Sequence, residues 1–213
     1  MKTRFIALLF LLATTVASSA QEAKKNELGL LLGWQFAPSL TIDSATLVPE
    51  RNVDIGSGIA FQATYARHLT GNGAAALYFE LPFVASPRQD LQSGTGTLPD
   101  HYASLYITPG LRLKFRPNSG ISPWLSVGGG YARFSEAESL LNGAANPGAT
   151  GTNKGAVQFG GGLDFKTPVR ILLPIGLRIE FRDFFSGKPN YNLSTSGGFQ
   201  HNLVAGGGFT VSF

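Results

Sequence analysis

Apolar and polar positions alternate with a period of two through most of the chain beyond residue 26, in segments of about ten to fifteen residues. This is the signature of strands with one apolar face. Eight segments carry it. About Glu27 to Phe36, one face holds Leu28, Leu30, Leu32, Trp34 and Phe36, and near Gly58 to Leu69 it holds Ile59, Phe61, Ala63 and Tyr65. About Ala74 to Ala85 the apolar face is Leu77, Phe79, Leu81 and Phe83, and from Tyr102 to Arg116 it runs from Leu105 to Phe115 in six alternate positions. Pro123 to Phe134 is less regular, with Leu125, Val127 and Tyr131 on the same side. Gly155 to Lys166, Leu173 to Phe184 and Phe199 to Phe213 complete the set.

The connections between these segments alternate in length. Thr70–Gly73, Pro117–Ser122 and Thr167–Leu172 are short, whereas Ala37–Asp54, Ser86–His101, Ser135–Asn153 and Ser186–Gly197 are long and rich in Gly, Ser, Pro and Asn. An antiparallel barrel crossing a membrane has short turns on one side and long loops on the other, and an even strand number returns both ends to the short-turn side. The pattern therefore predicts an all-β fold, an eight-stranded antiparallel up-and-down transmembrane β-barrel. Ser135–Asn153 begins with a helix-compatible stretch, SEAESLL.

Alternation alone does not say which face is inside. The first twenty residues bear on that: Lys2 and Arg4 precede an apolar or small run from Phe5 to Ala17, with Ser18 and Ala20 at minus three and minus one. This is the pattern of a secretory signal peptide cleaved before Gln21, leaving residues 21–213 as the barrel domain. An exported chain whose segments can each span a bilayer as a strand puts its apolar face in lipid, and its polar face inside.

On that reading Glu80, Arg112, Lys114, Asp164, Arg178, Glu180 and Arg182 are interior. The last three of the polar positions on one strand, 178, 180 and 182, recur at about 6.6 Å. Unpaired charges taken from water are costly, so an ion-paired plug is expected rather than a conduit. If pairing is local to the strand, exchanging residues 178 and 180 should recover part of the loss caused by Glu180→Ala.

Composition narrows the function classes. The chain of 213 residues has 27 Gly and 16 Phe, only 14% charged residues and no Cys, which excludes disulfides, thiolate metal sites and a Cys nucleophile. Without Lys2 and Arg4 the balance is 15 basic against 13 acidic residues, which does not point to nucleic acid. No cofactor site or metal site is expected: the triplets Gly128–Gly130, Gly160–Gly162 and Gly206–Gly208 lie on strands rather than before a helix, as a phosphate loop requires. Glycine there lets the sheet bend and aromatic rings lie on the backbone. The Asn192-Leu193-Ser194 sequon is assigned no role.

The terminal AGGGFTVSF, with Gly208, Phe209, Val211 and Phe213, resembles the assembly signal of bacterial outer-membrane barrels. With LRIEFRDFF (Leu177–Phe185), QHNLVAGGGFTVSF (Gln200–Phe213), the signal peptide and the loop alternation, the chain resembles the small outer-membrane barrels of the OmpX and OmpA-barrel kind over nearly its whole mature length. The resemblance implies an outer-membrane location, lipid and the barrel-assembly machinery as partners, and a monomer. No peptidoglycan-binding domain is expected beyond Phe213, a departure from full-length OmpA. Some barrels of this kind are lipid A deacylases with His and Ser two apart on a lipid-facing strand; His68, His101 and His201 do not match that spacing. The expectation is a non-enzymatic surface protein whose four long loops contact an extracellular ligand, with no catalytic residues. The alternatives are a small channel or transporter of hydrophobic substrates, or a lipid A-modifying enzyme.

Overall fold

The computed structural model describes residues 25–41, 52–94, 96–170, 174–192 and 198–213. The expected signal peptide, parts of the first and last long connections, residues 171–173 and the Leu193-Ser194 part of the sequon lie outside them. Every regular element among the described residues is a strand: β1 (Asn26–Phe36), β2 (Leu40–Thr41), β3 (Asn52–Ile55), β4 (Gly58–Gly71), β5 (Ala75–Gln92), β6 (His101–Ile107), β7 (Gly110–Phe115), β8 (Ile121–Glu136), β9 (Thr152–Arg170), β10 (Pro174–Gly187) and β11 (Phe199–Ser212).

Eight staves form the ring. β6 and β7 are one of them, interrupted at Thr108–Pro109, because proline has no N–H to give to the ladder. The register with β8 continues unchanged across the break, from Ile107 opposite Tyr131 to Gly110 opposite Gly128. The Pro109 carbonyl still accepts from the Gly129 N–H at 3.1 Å. β2 and β3 belong to the first long connection, and β3 pairs with the far end of β5.

β1 pairs with β4 on one side and β11 on the other, so no edge is left. Asn26 and Phe213 exchange two backbone hydrogen bonds of 2.9 Å at this seam. The stagger of the ring follows from its registers. A walk across paired residues, from Asn26 through Arg67, Phe79, Leu111, Val127, Phe159, Asp183 and Leu203, returns to β1 at Phe36, ten positions along. With a rise of about 3.3 Å per residue and a strand spacing of about 4.8 Å, that shear tilts eight strands by about 40°, inside the usual range for barrels.

The faces are now fixed. Leu30, Leu125 and Phe209 are 58, 60 and 61% exposed, whereas Glu80, Arg112 and Arg182 are fully buried. The apolar face is the outer one and the charges fill the lumen. A barrel folded in water would bury the opposite set, because the free energy of burial favours apolar surface.

Some boundaries differ from those the alternation predicts. β5 continues seven residues past Ala85, over a bulge between Ser86 and Gln89 that lets the strand carry on beyond Pro87. The second long connection is therefore only residues 93–100. β9 runs on through Thr167 to Arg170, which the sequence assigns to a turn. Ser135–Asn153 contains no helix; it makes isolated bridges, Ser139 to Ala145 and Leu140 to Pro99. Its helix-compatible residues are satisfied instead by β8, which extends to Glu136, and by contacts to the neighbouring connection.

Candidate functional site

The seven interior charges named from the sequence are all buried in the half of the lumen nearer the chain ends, and they meet across strands. Arg178 is the hub of the lower layer. Its Nε and Nη2 donate to the two carboxylate oxygens of Asp164 at 2.6 and 2.8 Å, and Nη2 also reaches Glu27 Oε1 at 2.6 Å. Arg112 Nη2 donates to the same Glu27 oxygen at 2.6 Å, and the Lys114 ammonium sits between Glu27 and Asp164. In the layer above, Arg182 donates through Nε to Glu180 at 2.7 Å and through Nη1 to Glu80 at 2.8 Å. Arg112 Nε, 3.8 Å from Glu80, joins the two layers.

Glu27 and Trp124 complete this arrangement and were not picked out from the sequence. Both have the inward parity of their strands, Glu27 beside outward Leu28 and Trp124 beside outward Leu125. Glu27 stands at the frayed start of a segment and Trp124 on the least regular one, where parity is hardest to read. The Trp124 ring lies under three guanidinium groups, Arg112, Arg178 and Arg182, at 5.6, 5.1 and 5.2 Å. Its Nε1 donates to Asp164 at 3.2 Å. With Glu27 the network holds four cations and four carboxylates, so the buried charge is balanced.

The β9 glycine triplet makes room for this plug. Gly162 pairs with Trp124, and a Cβ there would lie 2.7 Å from the indole; at Gly160, one would meet Ser126 Oγ at 2.8 Å and the Arg182 stem at 3.1 Å. On the chain-end side, a cavity of about 460 Å³ leads in past Tyr78, Lys166 and Thr210 and ends on Lys114, Asp164 and Glu27.

The half of the lumen nearer the long connections holds neutral polar and aromatic side chains, with the buried carboxylate of Glu136 at its rim. Gln35 Nε2 donates to Gln89 at 3.0 Å, and Ser104 Oγ donates to Gln35 at 3.1 Å. Above them Tyr106 and Phe184 stack at 4.5 Å, with Phe134 edge-on to both Tyr102 and Tyr106. Tyr191, from the last long connection, enters this layer: its hydroxyl donates to Gln200 at 2.6 Å, and burial pushes that hydroxyl well above its usual pKa. The long connections are tied together over the mouth. The Asn190 N–H donates to Glu136 at 2.8 Å, Asn192 Nδ2 to Asn146 at 2.8 Å, and the Leu141 N–H to the Leu98 carbonyl at 2.9 Å.

No histidine is ion-paired within the lumen network, and only His68 touches its margin, through Tyr78, whose ring lies 5.0 Å from the Arg112 guanidinium. His68 stands edge-on to Tyr78, His101 pairs with Asp100 at 2.9 Å, and His201 pairs with Asp183 at 2.7 Å on the outer face. The hydrogen bond from His101, with Arg88 nearby, holds the Asp100 carboxyl below its usual range. Among the described residues no group of three or more His, Asp or Glu could hold a metal ion. Of the terminal motif, Phe209 points outward and Gly208 lies against the Leu30 and Leu31 backbone of β1.

No family model matches this chain, and no curated protein matches it. Solved structures do. Neisserial surface protein A (NspA) is similar at 14% identity over 90% of this chain and 98% of its own, with a TM-score of 0.54. The outer membrane protein OprG from Pseudomonas aeruginosa is 14% identical over 91% and 98%, with a TM-score of 0.48. The attachment invasion locus protein Ail of Yersinia pestis, in complex with the heparin analogue sucrose octasulfate, is 13% identical over 87% and 99%, with a TM-score of 0.43. In strand order, closure and outward apolar face, this chain has the fold of the small eight-stranded barrels of bacterial outer membranes.

Proposed function

We propose that this chain is a non-enzymatic protein of the outer membrane, exported by residues 1–20, in which a plugged barrel carries long connections that bind an extracellular ligand. The observation that carries this reading is the filled lumen: a balanced ion network over Trp124 in one half and a stacked aromatic layer in the other. A channel needs a continuous wet path, and eight strands leave an interior just wide enough for side chains to fill. The connections, tied to one another over the mouth, provide a preformed surface, and loops on a rigid scaffold are where binding residues concentrate.

The wild-type barrel in planar bilayers is expected to give no reproducible single-channel openings. Regular openings would replace this reading with the channel. Binding is tested by exchanging residues 137–151 for a Gly/Ser linker of equal length and comparing cell attachment to immobilised extracellular components. Attachment that survives the exchange and equivalent exchanges in the other connections would remove the surface-binding role. Lipid A from expressing cells is expected to keep its acyl pattern, since no hydrolase triad is assigned.

The same reading gives Gly208, Phe209, Val211 and Phe213 to the barrel-assembly machinery. Deleting Phe213 also removes both hydrogen bonds to Asn26 at the closing seam. The expected result is normal signal cleavage with several-fold less folded barrel in the outer membrane, read by heat-modifiable migration. Wild-type levels would reduce the motif to ordinary strand alternation.

A further inference from the structure

Five carboxylates are buried among the described residues, and four of them, Glu27, Glu80, Asp164 and Glu180, sit against cations of the lumen network. Glu136 is the fifth. It has the inward parity of β8, two residues beyond Phe134, and is only 5% exposed. Among the described residues no Lys, Arg or His lies within ion-pair distance of it. One of its oxygens, Oε1, accepts the Asn190 N–H at 2.8 Å; the other, Oε2, is closed to solvent and has no hydrogen-bond partner. A buried carboxylate with neither a counter-charge nor a full set of donors is strongly disfavoured.

The surroundings of Glu136 are rich in neutral oxygen. Its own N–H donates to the Thr150 carbonyl at 3.2 Å. Asn190, whose N–H it accepts, places its side chain between the Ala149 carbonyl, 3.5 Å from Nδ2, and the Asn192 N–H, 3.0 Å from Oδ1. Asn192 in turn donates through Nδ2 to Asn146 Oδ1 at 2.8 Å. Its Oδ1 packs against Gly148 so closely that a Cβ there has no room. Three segments, 136–138, 146–150 and 190–192, therefore meet in one hydrogen-bonded knot whose acceptors are carboxylate, amide and backbone oxygens.

We infer that Glu136 is the anionic ligand of a calcium ion that ties the third long connection to the fourth, with Oε2 on the metal and neutral oxygens of this knot around it. Oxygen-only donors select hard cations. Calcium takes about six to eight of them in irregular arrangements, amide and backbone carbonyls included, whereas magnesium demands a near-ideal octahedron. Oxygens drawn from three loop segments suit calcium. A calcium–oxygen contact of about 2.3–2.6 Å is shorter than a water hydrogen bond of about 2.7–2.8 Å, so an oxygen closed to water is not thereby closed to the ion. This donor set differs from a cluster of three His, Asp or Glu side chains, and it departs from the expectation of no metal site. One carboxylate makes a weak site, in the range of extracellular modules, about 10⁻⁴ to 10⁻³ M. Asn190 and Asn192 flank Tyr191, so the ion also holds that ring against Tyr102 in the aromatic layer. The site stands on the fold alone and not on the surface-binding role proposed above.

The test uses full barrel refolded in detergent without lipopolysaccharide, with calcium and magnesium as separate probes. Binding is read by equilibrium dialysis, and the state of the fourth connection by chymotrypsin cleavage after Tyr191. Wild-type protein is expected to bind one calcium ion at least tenfold more tightly than magnesium, and to be cleaved several-fold more slowly in calcium than in a chelator. Glu136→Gln keeps the size of the side chain and the acceptor for Asn190; it should weaken calcium binding at least tenfold and lose the protection. Asn190→Asp adds a second carboxylate beside the first and should tighten binding at least threefold. Asp90→Asn, which removes an exposed carboxylate paired with Arg88, should bind as wild type. Heat-modifiable migration verifies that each variant is folded. No calcium binding by wild type at about 10 mM, well above the expected range, or equal binding by wild type and Glu136→Gln, would overturn the inference and leave Glu136 as a protonated carboxyl. An equal loss in Asp90→Asn would overturn it in favour of general surface charge. Should Glu136→Gln not fold, an unchanged affinity in Asn190→Asp overturns it instead.

Discussion

Arg178→Ala should lower the stability of the folded barrel by about 3–5 kcal/mol, the cost of removing one partner from a buried ion network. Arg178 satisfies both oxygens of Asp164 and shares Glu27 with Arg112, and its own side chain is fully buried. Without it, Lys114 and Arg112 face two carboxylates whose preferred positions were set by a planar, bidentate donor, which neither replaces. Glu180→Ala should cost less. Its partner Arg182 keeps Glu80 at 2.8 Å, so that cation is not orphaned. The denaturant midpoint of detergent-folded protein orders the two variants, and an unchanged midpoint for Arg178→Ala would mean that the network is solvated by a wet lumen. The exchange of residues 178 and 180 is a correction to what strand spacing alone suggests. Glu at 178 would join Glu27 and Asp164 in a cluster of three carboxylates, so the exchange should worsen stability rather than recover part of it.

Trp124→Ala carries the second large effect and reads out on function as well as on stability. Truncating a fully buried Trp costs about 3–5 kcal/mol, and here the ring also supports three guanidinium groups and a hydrogen bond to Asp164. The vacated volume lies between the chain-end cavity, which ends on Asp164, and the Arg182 layer. Trp124→Ala is therefore expected to lower the denaturant midpoint and to give small conductance events absent from wild type. Trp124→Phe, which keeps a ring over Gly162 and loses the N–H, should restore most of the closure and only part of the stability. If Trp124→Ala stays silent in planar bilayers, the aromatic layer of Tyr106 and Phe184 is by itself a sufficient seal.

How much of this could be read from the chain depends on the range of the interaction. Side-chain parity in a strand is local, because successive residues point to opposite faces, so the eight staves and most of the inward set, from Glu80 to Arg182, are legible from alternation. Even the proline break at Pro109 does not disturb that parity, since β6 and β7 keep one register. Parity becomes weak where a segment frays or loses its alternation, which is why Glu27 and Trp124 escaped. The extents of the loops are not legible for a related reason: beyond the membrane-facing belt a strand no longer needs an apolar face, so β5 past Ala85 has no alternating signal although its backbone stays paired.

The sequence by itself determined the number of barrel staves, the two faces of each and the alternation of short turns with long connections, all consequences of a two-residue period and of turn-forming composition. Only the tertiary structure decided which inward residues meet. Arg178 reaches Glu27 from 151 positions away because a shear of ten residues carries β1 round to lie level with β10 through β11. That offset is set by the closure of the whole ring, and a ring closes only once every register is fixed together, so no single strand carries the information.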